Sequence, residues 1–265
     1  MAQLQGQVAV VTGAGHPRGI GYAIAASLAR QGADVAITDL PSSADLFESA
    51  KSIENLGVGS LALPCDVTDS AQVQETMARV VERFGRIDVL VNNAGVGVGS
   101  ADFLELTDND WELSLGVNLR GVVNGCRSVI PTMQAQGGGR IINIASLAGL
   151  GAIEAIPACY TASKFAVIGL TKQLASNYAR DKILCNAVCP GSIVTQMHEQ
   201  TLELIAEQEG ISLEQAQQRE DAHIPMGYSA QPAQVADAVS YLAGPSASYI
   251  TGITLPVAGG MSPGL

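Results

Sequence analysis

The chain has 265 residues, 47% of them hydrophobic and 15% charged, which excludes disorder and allows roughly 70–75% of the unfolded surface to be buried in one core. The formal charge of −11, without any basic run, excludes a nucleic-acid groove, which needs clustered Lys and Arg to displace counterions. Glycine, at 29 residues, stands well above the usual share of about 7% and points to close backbone approaches.

Met1–Gln7 has no basic segment followed by an apolar stretch, so no signal peptide is expected, and a cytoplasmic location follows. Val8–Val11 reads as a strand, then a glycine-rich turn and a helix over Gly19–Gln31. Strand Asp34–Thr38 and helix Asp45–Leu56 follow, then strand Ser60–Pro64 and helix Ser70–Phe84. Next come strand Val89–Asn92, a long helix over Asp108–Ile130, strand Arg140–Ile144 and helix Tyr160–Arg180. Thr107 with Asp110 resembles the N-cap of the long helix. After strand Ile183–Val188 the rhythm breaks at Pro190–Tyr228, a polar Gln/Glu-rich stretch of the length and character of a lid. Helix Pro232–Leu242, with proline in its first turn, and strand Ile253–Val257 complete the pattern.

The apolar runs of these seven strands do not alternate with polar residues, as expected of strands covered on both faces. The prediction is therefore a single α/β domain over 1–265: a doubly wound, seven-stranded parallel sheet with helices on both faces, a Rossmann fold, and a small helical lid at about 192–228. Ala238–Leu265 carries no charge, but repeated Gly and Pro break it, so burial against the core or a neighbouring subunit is expected and a membrane span is not. Five cysteines without a CxxC pair and three histidines without an HExxH cluster predict a reduced, metal-free protein.

Chemistry enters at Thr12–Gly21, where Gly13, Gly15, Gly19 and Gly21 lie between the first strand and helix. Such a turn brings backbone against a pyrophosphate resting on the N-terminus of the helix at Ile20; it also opens methyltransferases, and a plain βα turn can look the same. Asp39, eighteen residues past Gly21, can accept both ribose hydroxyls of NAD and repels a 2′-phosphate; Leu40 follows it, and no base. Arg18 argues the other way, as a cation beside the turn. Tyr160 and Lys164, four apart, share one helical face. A free tyrosine has a pKa near 10, too high for a base at neutral pH, and a nearby ammonium would lower it. Ser146, fourteen residues upstream, ends a strand where its hydroxyl can orient a substrate oxygen.

Taken together, the Thr12–Gly21 turn, Asp66-Val67, Asn92-Asn93-Ala94-Gly95, Asn118, Ser146, Tyr160-x-x-x-Lys164 and Pro190-Gly191 stand in one order. This resembles the short-chain dehydrogenase/reductase family, across Val8 to Gly260. The resemblance implies that Tyr160 is the acid/base, that Lys164 lowers its pKa and holds the nicotinamide ribose, and that Ser146 binds the reacting oxygen. It also implies that Asn118 holds a proton-relaying water. Asp66 and Val67 would flank the adenine, Asn92, Ala94 and Gly95 would line the cofactor cleft, and Ile193 and Thr195, after Pro190-Gly191, would seat the carboxamide. The implied reaction interconverts a secondary alcohol and a ketone with NAD, NADP being disfavoured by Asp39, and oxidation is the expected direction.

There are departures. Five residues separate Gly13 from Gly19 where the family has three, so the glycine register is ambiguous and the added His16-Pro17 is expected to alter the wall near the phosphates. Ala258 stands where family members often have Asp, which predicts altered packing only. The Ser146–Tyr160 interval is one residue longer than the family's, which changes a wall of the substrate pocket. Glu154, in the loop before Tyr160, is similar in place to an acidic residue of the family's polyol dehydrogenases, and His198 would add a polar contact from the lid. A polyol, sugar or small diol is the expected substrate. A 3-ketoacyl thioester reductase using NADPH is the alternative, as is a nucleotide-binding regulator. The family's habit of assembling through its long helices and C-terminal strand implies a homotetramer.

Overall fold

A computed structural model of the chain describes residues 3–263; Met1, Ala2, Gly264 and Leu265 lie outside the described residues. The strands are β1 (Val8–Thr12), β2 (Asp34–Asp39), β3 (Ser60–Pro64), β4 (Val89–Asn92), β5 (Gly139–Ile144), β6 (Ile183–Pro190) and β7 (Thr254–Val257). They form one seven-stranded sheet in the order β3-β2-β1-β4-β5-β6-β7, with every pairing parallel. The order reverses between β1 and β4, and the crevice outside the carboxyl ends of those two strands is where such sheets bind ligands.

Side chains of each strand alternate between two cores. Ala9 and Val11 of β1 join Val35, Ile37, Val89, Ile142 and Val188 beneath α1 (Ile20–Arg30), α2 (Leu46–Glu54) and α9 (Pro232–Ala243). Val8 and Val10 face the other way, joining Leu90, Ile141 and Cys185 beneath α3 (Ser70–Phe84), α5 (Gly121–Gln136) and α6 (Ala158–Tyr178). Both sheet faces are thus closed, the reason that the strands read as unbroken apolar runs.

The long helix differs from its sequence reading. Thr107 and Asp110 form the full capping box of α4 (Asp108–Leu115), but a π-turn over Gly116–Arg120 separates α4 from α5, which runs past Pro131 to Gln136. A proline costs the helix one hydrogen bond, yet Val129, Ile130 and Met133 are buried in the second core, and that packing carries the helix through until Gly137 and Gly138 end it at positive φ. Pro190 is absorbed as the last residue of β6.

The segment before the last helix is the helical lid: α7 (Gln196–Glu209) and α8 (Leu213–Ala222) share a small core of Leu202, Ala206 and Ala216. It joins the body through a bridge between Ile193 and Ala230. Among the described residues no helix is long and apolar enough to cross a membrane. In the uncharged C-terminal stretch Val239, Leu242 and Ala243 enter the first core, whereas Tyr241 and Tyr249 are exposed.

Candidate active site

The glycine-rich turn is tied to the end of β4. The Thr12 Oγ1 accepts the N–H groups of Asn93 and Ala94, each at 3.0 Å, and the Asn93 amide donates to the carbonyls of Thr12 and Gly13 at 2.9 Å. The glycine register is now defined by contact. Gly13 has φ +63°, and a Cβ there would stand 2.7 Å from the Ala94 Cα; one on Gly21 would stand 2.3 Å from the Gly13 carbonyl. Gly15 lies against Asp39, donating its N–H to Oδ2 at 2.8 Å, while Leu40 donates to Oδ1 at 2.8 Å and leaves its own side chain half exposed. The extra residues loop outward: Gly19 donates to the His16 carbonyl, and Pro17 and Arg18 are on the surface. Gly19 caps α1 without a side chain, leaving the N–H groups from Ile20 onward to an anion. Ser49, which no motif marks, secures the loop by donating to the Gly15 carbonyl at 2.6 Å.

Across the crevice, β5 delivers Ser146 and the start of α6 delivers Tyr160 and Lys164. The Ser146 hydroxyl stands beside the Tyr160 phenol, and its Oγ accepts the Ala148 N–H at 3.2 Å. The Lys164 Nζ donates to the Ile144 carbonyl at 3.1 Å and lies 5.5 Å from the Tyr160 ring centroid. Burial brings its ammonium down to about 8. Burial of the phenol pushes Tyr160 above its ordinary value, and the Ser146 hydroxyl pulls it back. Beneath them the Cys189 thiol, at the end of β6, is pushed up to about 11 by burial and stays neutral.

Asn118 is buried inside the π-turn with its side chain fully engaged. Oδ1 accepts the Val96 N–H at 2.8 Å, and Nδ2 donates to the Val96 carbonyl and the Ser163 hydroxyl, both at 3.0 Å. Ser163 in turn donates to the Tyr160 carbonyl at 2.7 Å, a clamp that sequence reasoning missed because serine before lysine carries no chemistry of its own. A Cβ on Gly95 would come within 3.4 Å of the Lys164 Nζ, so glycine there keeps the approach to the ammonium open, a cradle that fits a bound ribose.

Other expected residues fall in different places. Val67 packs against Gly121 and its carbonyl accepts from Asn124, but the Asp66 carboxylate is turned onto the Thr68 N–H and hydroxyl at 2.9 and 2.8 Å. The Asn92 side chain is in the core, its amide donating to Asn143 Oδ1 at 2.8 Å, because its position on β4 is opposite Asn143 on β5. Pro190 ends its strand and Gly191 meets Ala258, where a Cβ would stand 2.9 Å away. Ile193 is buried and Thr195 caps α7 by accepting the His198 N–H. Glu154 is exposed beside Ala155, which holds φ +62°. The His198 ring is turned into the lid: Nε2 is 3.0 Å from Glu220, whose other oxygen accepts from Ser192, and the side chain is only 9% exposed. Arg18 reaches Glu199 of α7. All five cysteines are free and buried, and among the described residues no group of His, Cys, Asp or Glu could hold a metal.

An open phosphate loop facing a buried Ser-Tyr-Lys cluster across a switch point defines a dinucleotide-dependent oxidoreductase. A family model described as enoyl-(acyl carrier protein) reductase matches residues 13–262. The chain is 42% identical to the 2-(R)-hydroxypropyl-CoM dehydrogenase of Xanthobacter autotrophicus, over 96% of this chain and 97% of that one. Among solved structures, an NAD+-bound xylitol dehydrogenase superposes with TM-score 0.91 at 33% identity, covering 97% of this chain and 100% of that one. An actinorhodin polyketide ketoreductase variant with NADPH superposes with TM-score 0.90 at 39% identity, covering 96% and 97%. The chain belongs to the short-chain dehydrogenase/reductase family, NAD(P)-dependent oxidoreductases acting on CH–OH groups.

Proposed function

We propose that this protein is an NAD-dependent dehydrogenase interconverting a secondary alcohol and a ketone, or a lactol and a lactone, on a polyol, sugar or small diol. The observation that carries the cofactor choice is the Asp39 carboxylate at the carboxyl end of β2, in contact with Gly15 of the phosphate loop. A ribose diol can replace water there as donor, whereas a 2′-phosphate would face a fixed negative charge. The likeness to an NAD+-bound xylitol dehydrogenase supports both cofactor and substrate class.

Bound nicotinamide would accept or give the hydride. Residues Gly13 to Gly21 would hold the pyrophosphate, Asp39 the adenosine ribose, Val67 the adenine, Lys164 the nicotinamide ribose, and Ile193 and Thr195 the carboxamide. Tyr160 removes the alcohol proton or returns it, and Ser146 donates to the same oxygen. Lys164 and a water on the Asn118 carbonyl pass the proton outward. Burial holds Tyr160 up, and the positive charge of an oxidised nicotinamide would help the phenol lose its proton. Glu154, at the loop tip, would meet the substrate's neighbouring hydroxyls. A ketoacyl thioester reductase using NADPH is the second reading, favoured by Arg18 beside the loop and by the NADPH-bound ketoreductase likeness. We also place the protein in the cytoplasm as a homotetramer. Five free thiols support the first, and the exposed Leu113, Leu115 and Phe165 on the long helices, with Tyr249 and Ile253 near β7, support the second.

The test is formation or loss of reduced nicotinamide by absorbance, with NAD and NADP offered separately against polyols, sugars, diols and hydroxyacyl esters. Turnover with NAD and a polyol or sugar is expected. Activity confined to NADPH and ketones would establish the reductase reading instead. Light scattering at micromolar concentration is expected to give four chains, and a monomer would remove that assignment.

A further inference from the structure

Arg18 is the sole Lys or Arg before Arg30, and it stands one residue ahead of the Gly19 cap of the phosphate loop. A free guanidinium at that point would offset the repulsion between Asp39 and a 2′-phosphate, whose charge is about −1.5 to −2. It is not free. Its two terminal nitrogens bond the two carboxylate oxygens of Glu199 on α7, at 2.9 and 3.1 Å, a fork-on-fork pairing across 181 residues. The loop therefore has two faces. Toward β2, Gly15 is closed in by Asp39, Ser43 and Ser49. Toward the lid, Arg18 and Glu199 line an open cavity of about 380 Å³ with Gly19, Thr195 and Gln231.

We propose that Glu199 determines cofactor specificity together with Asp39, by holding Arg18 on the lid face of the loop and out of reach of a 2′-phosphate. The inference rests on the reading of the chain as an NAD-preferring dehydrogenase and adds a second carboxylate, remote in sequence, to the one that faces the ribose. Asp39 repels the phosphate directly; Glu199 removes the one cation that would compensate. The pair is half exposed on both sides, so solvent screens it and a phosphate can compete once Glu199 loses its charge. The looped-out His16-Pro17 segment has a purpose in this arrangement, since it carries Arg18 away from the turn and toward α7.

A double-mutant cycle tests this by calorimetric binding of NAD, NADP, ADP and adenosine 2′,5′-bisphosphate to the wild type, Glu199→Gln, Arg18→Leu and the double variant. Glu199→Gln is expected to bind NADP and the bisphosphate about three- to fivefold more tightly, with NAD and ADP changed less than about twofold. In the double variant the gain is expected to vanish. A silent Glu199→Gln in a wild type that prefers NAD overturns the proposal alone, and so does a gain that persists in the double variant, because the charge of Glu199 would then act without Arg18. A wild type that itself binds NADP more tightly than NAD overturns the NAD reading and the proposal with it. Thermal midpoints of the four proteins show that each is folded.

Discussion

Lys164, Asn118 and Ser163 are each less than 5% exposed, and their hydrogen bonds run to main-chain groups of β5, α6 and the segment after β4, or to one another. The lid at 192–228 is polar too, but its charged groups meet in solvent: Arg18 with Glu199, and Glu209 with Arg219, are all roughly half exposed. His198 and Glu220 are more sheltered there, above a core of a few small and aliphatic side chains. Buried polar groups are expensive to disturb, whereas exposed ion pairs contribute about 0–1 kcal/mol. The buried cluster is consequently the more rigid half, and the lid the one whose ion pairs are cheap to disturb.

The sharpest test of the rigid half is Tyr160→Phe. Turnover should fall by about 10²–10⁴ while NAD still binds, read by steady-state rates and calorimetry. A variant that kept its rate would break the assignment of chemistry to this region. Next in size, Asn143→Leu removes the acceptor of the buried Asn92 amide beneath the crevice and should cost about 2–3 kcal/mol by denaturant unfolding, although neither side chain touches substrate.

Lys164→Met should abolish turnover yet stabilise the fold by about 1–2 kcal/mol at neutral pH. Its folded pKa of about 8 lies below the unfolded value of 10.5, so holding the ammonium in the folded protein costs about 3 kcal/mol, from which the orphaned Ile144 carbonyl takes back part. Between pH 8 and 10.5 the unfolded chain binds the extra proton, so wild-type stability rises with pH there and the advantage of the variant should close over that window. An advantage independent of pH would mean that the ammonium is not strained by burial.

The smallest effect belongs to the lid. Arg219→Gln should change stability by less than about 1 kcal/mol, within the error of many unfolding curves. A loss as large as that of Asn143→Leu would erase the contrast between the two regions.

Apolar runs bounded by turn residues determined the sheet, since a strand covered on both faces writes its burial directly into its own residues. Thr107 with Asp110 announced a helix start, and Tyr160, Lys164 and Ser146 announced the chemistry, because each acts through local spacing or stands at the end of an element. Tertiary structure decided what depends on residues far apart in the chain. The partner of the Asn92 amide is hidden until β5 places Asn143 opposite it. Pro131 looks like a helix stop until the core beneath Met133 carries α5 through it. His198 and Arg18 look like free polar groups until the lid brings Glu220 and Glu199 to them. The pKa of Tyr160 depends in the same way on burial, a property of the folded surroundings and not of the four-residue spacing that the sequence displays.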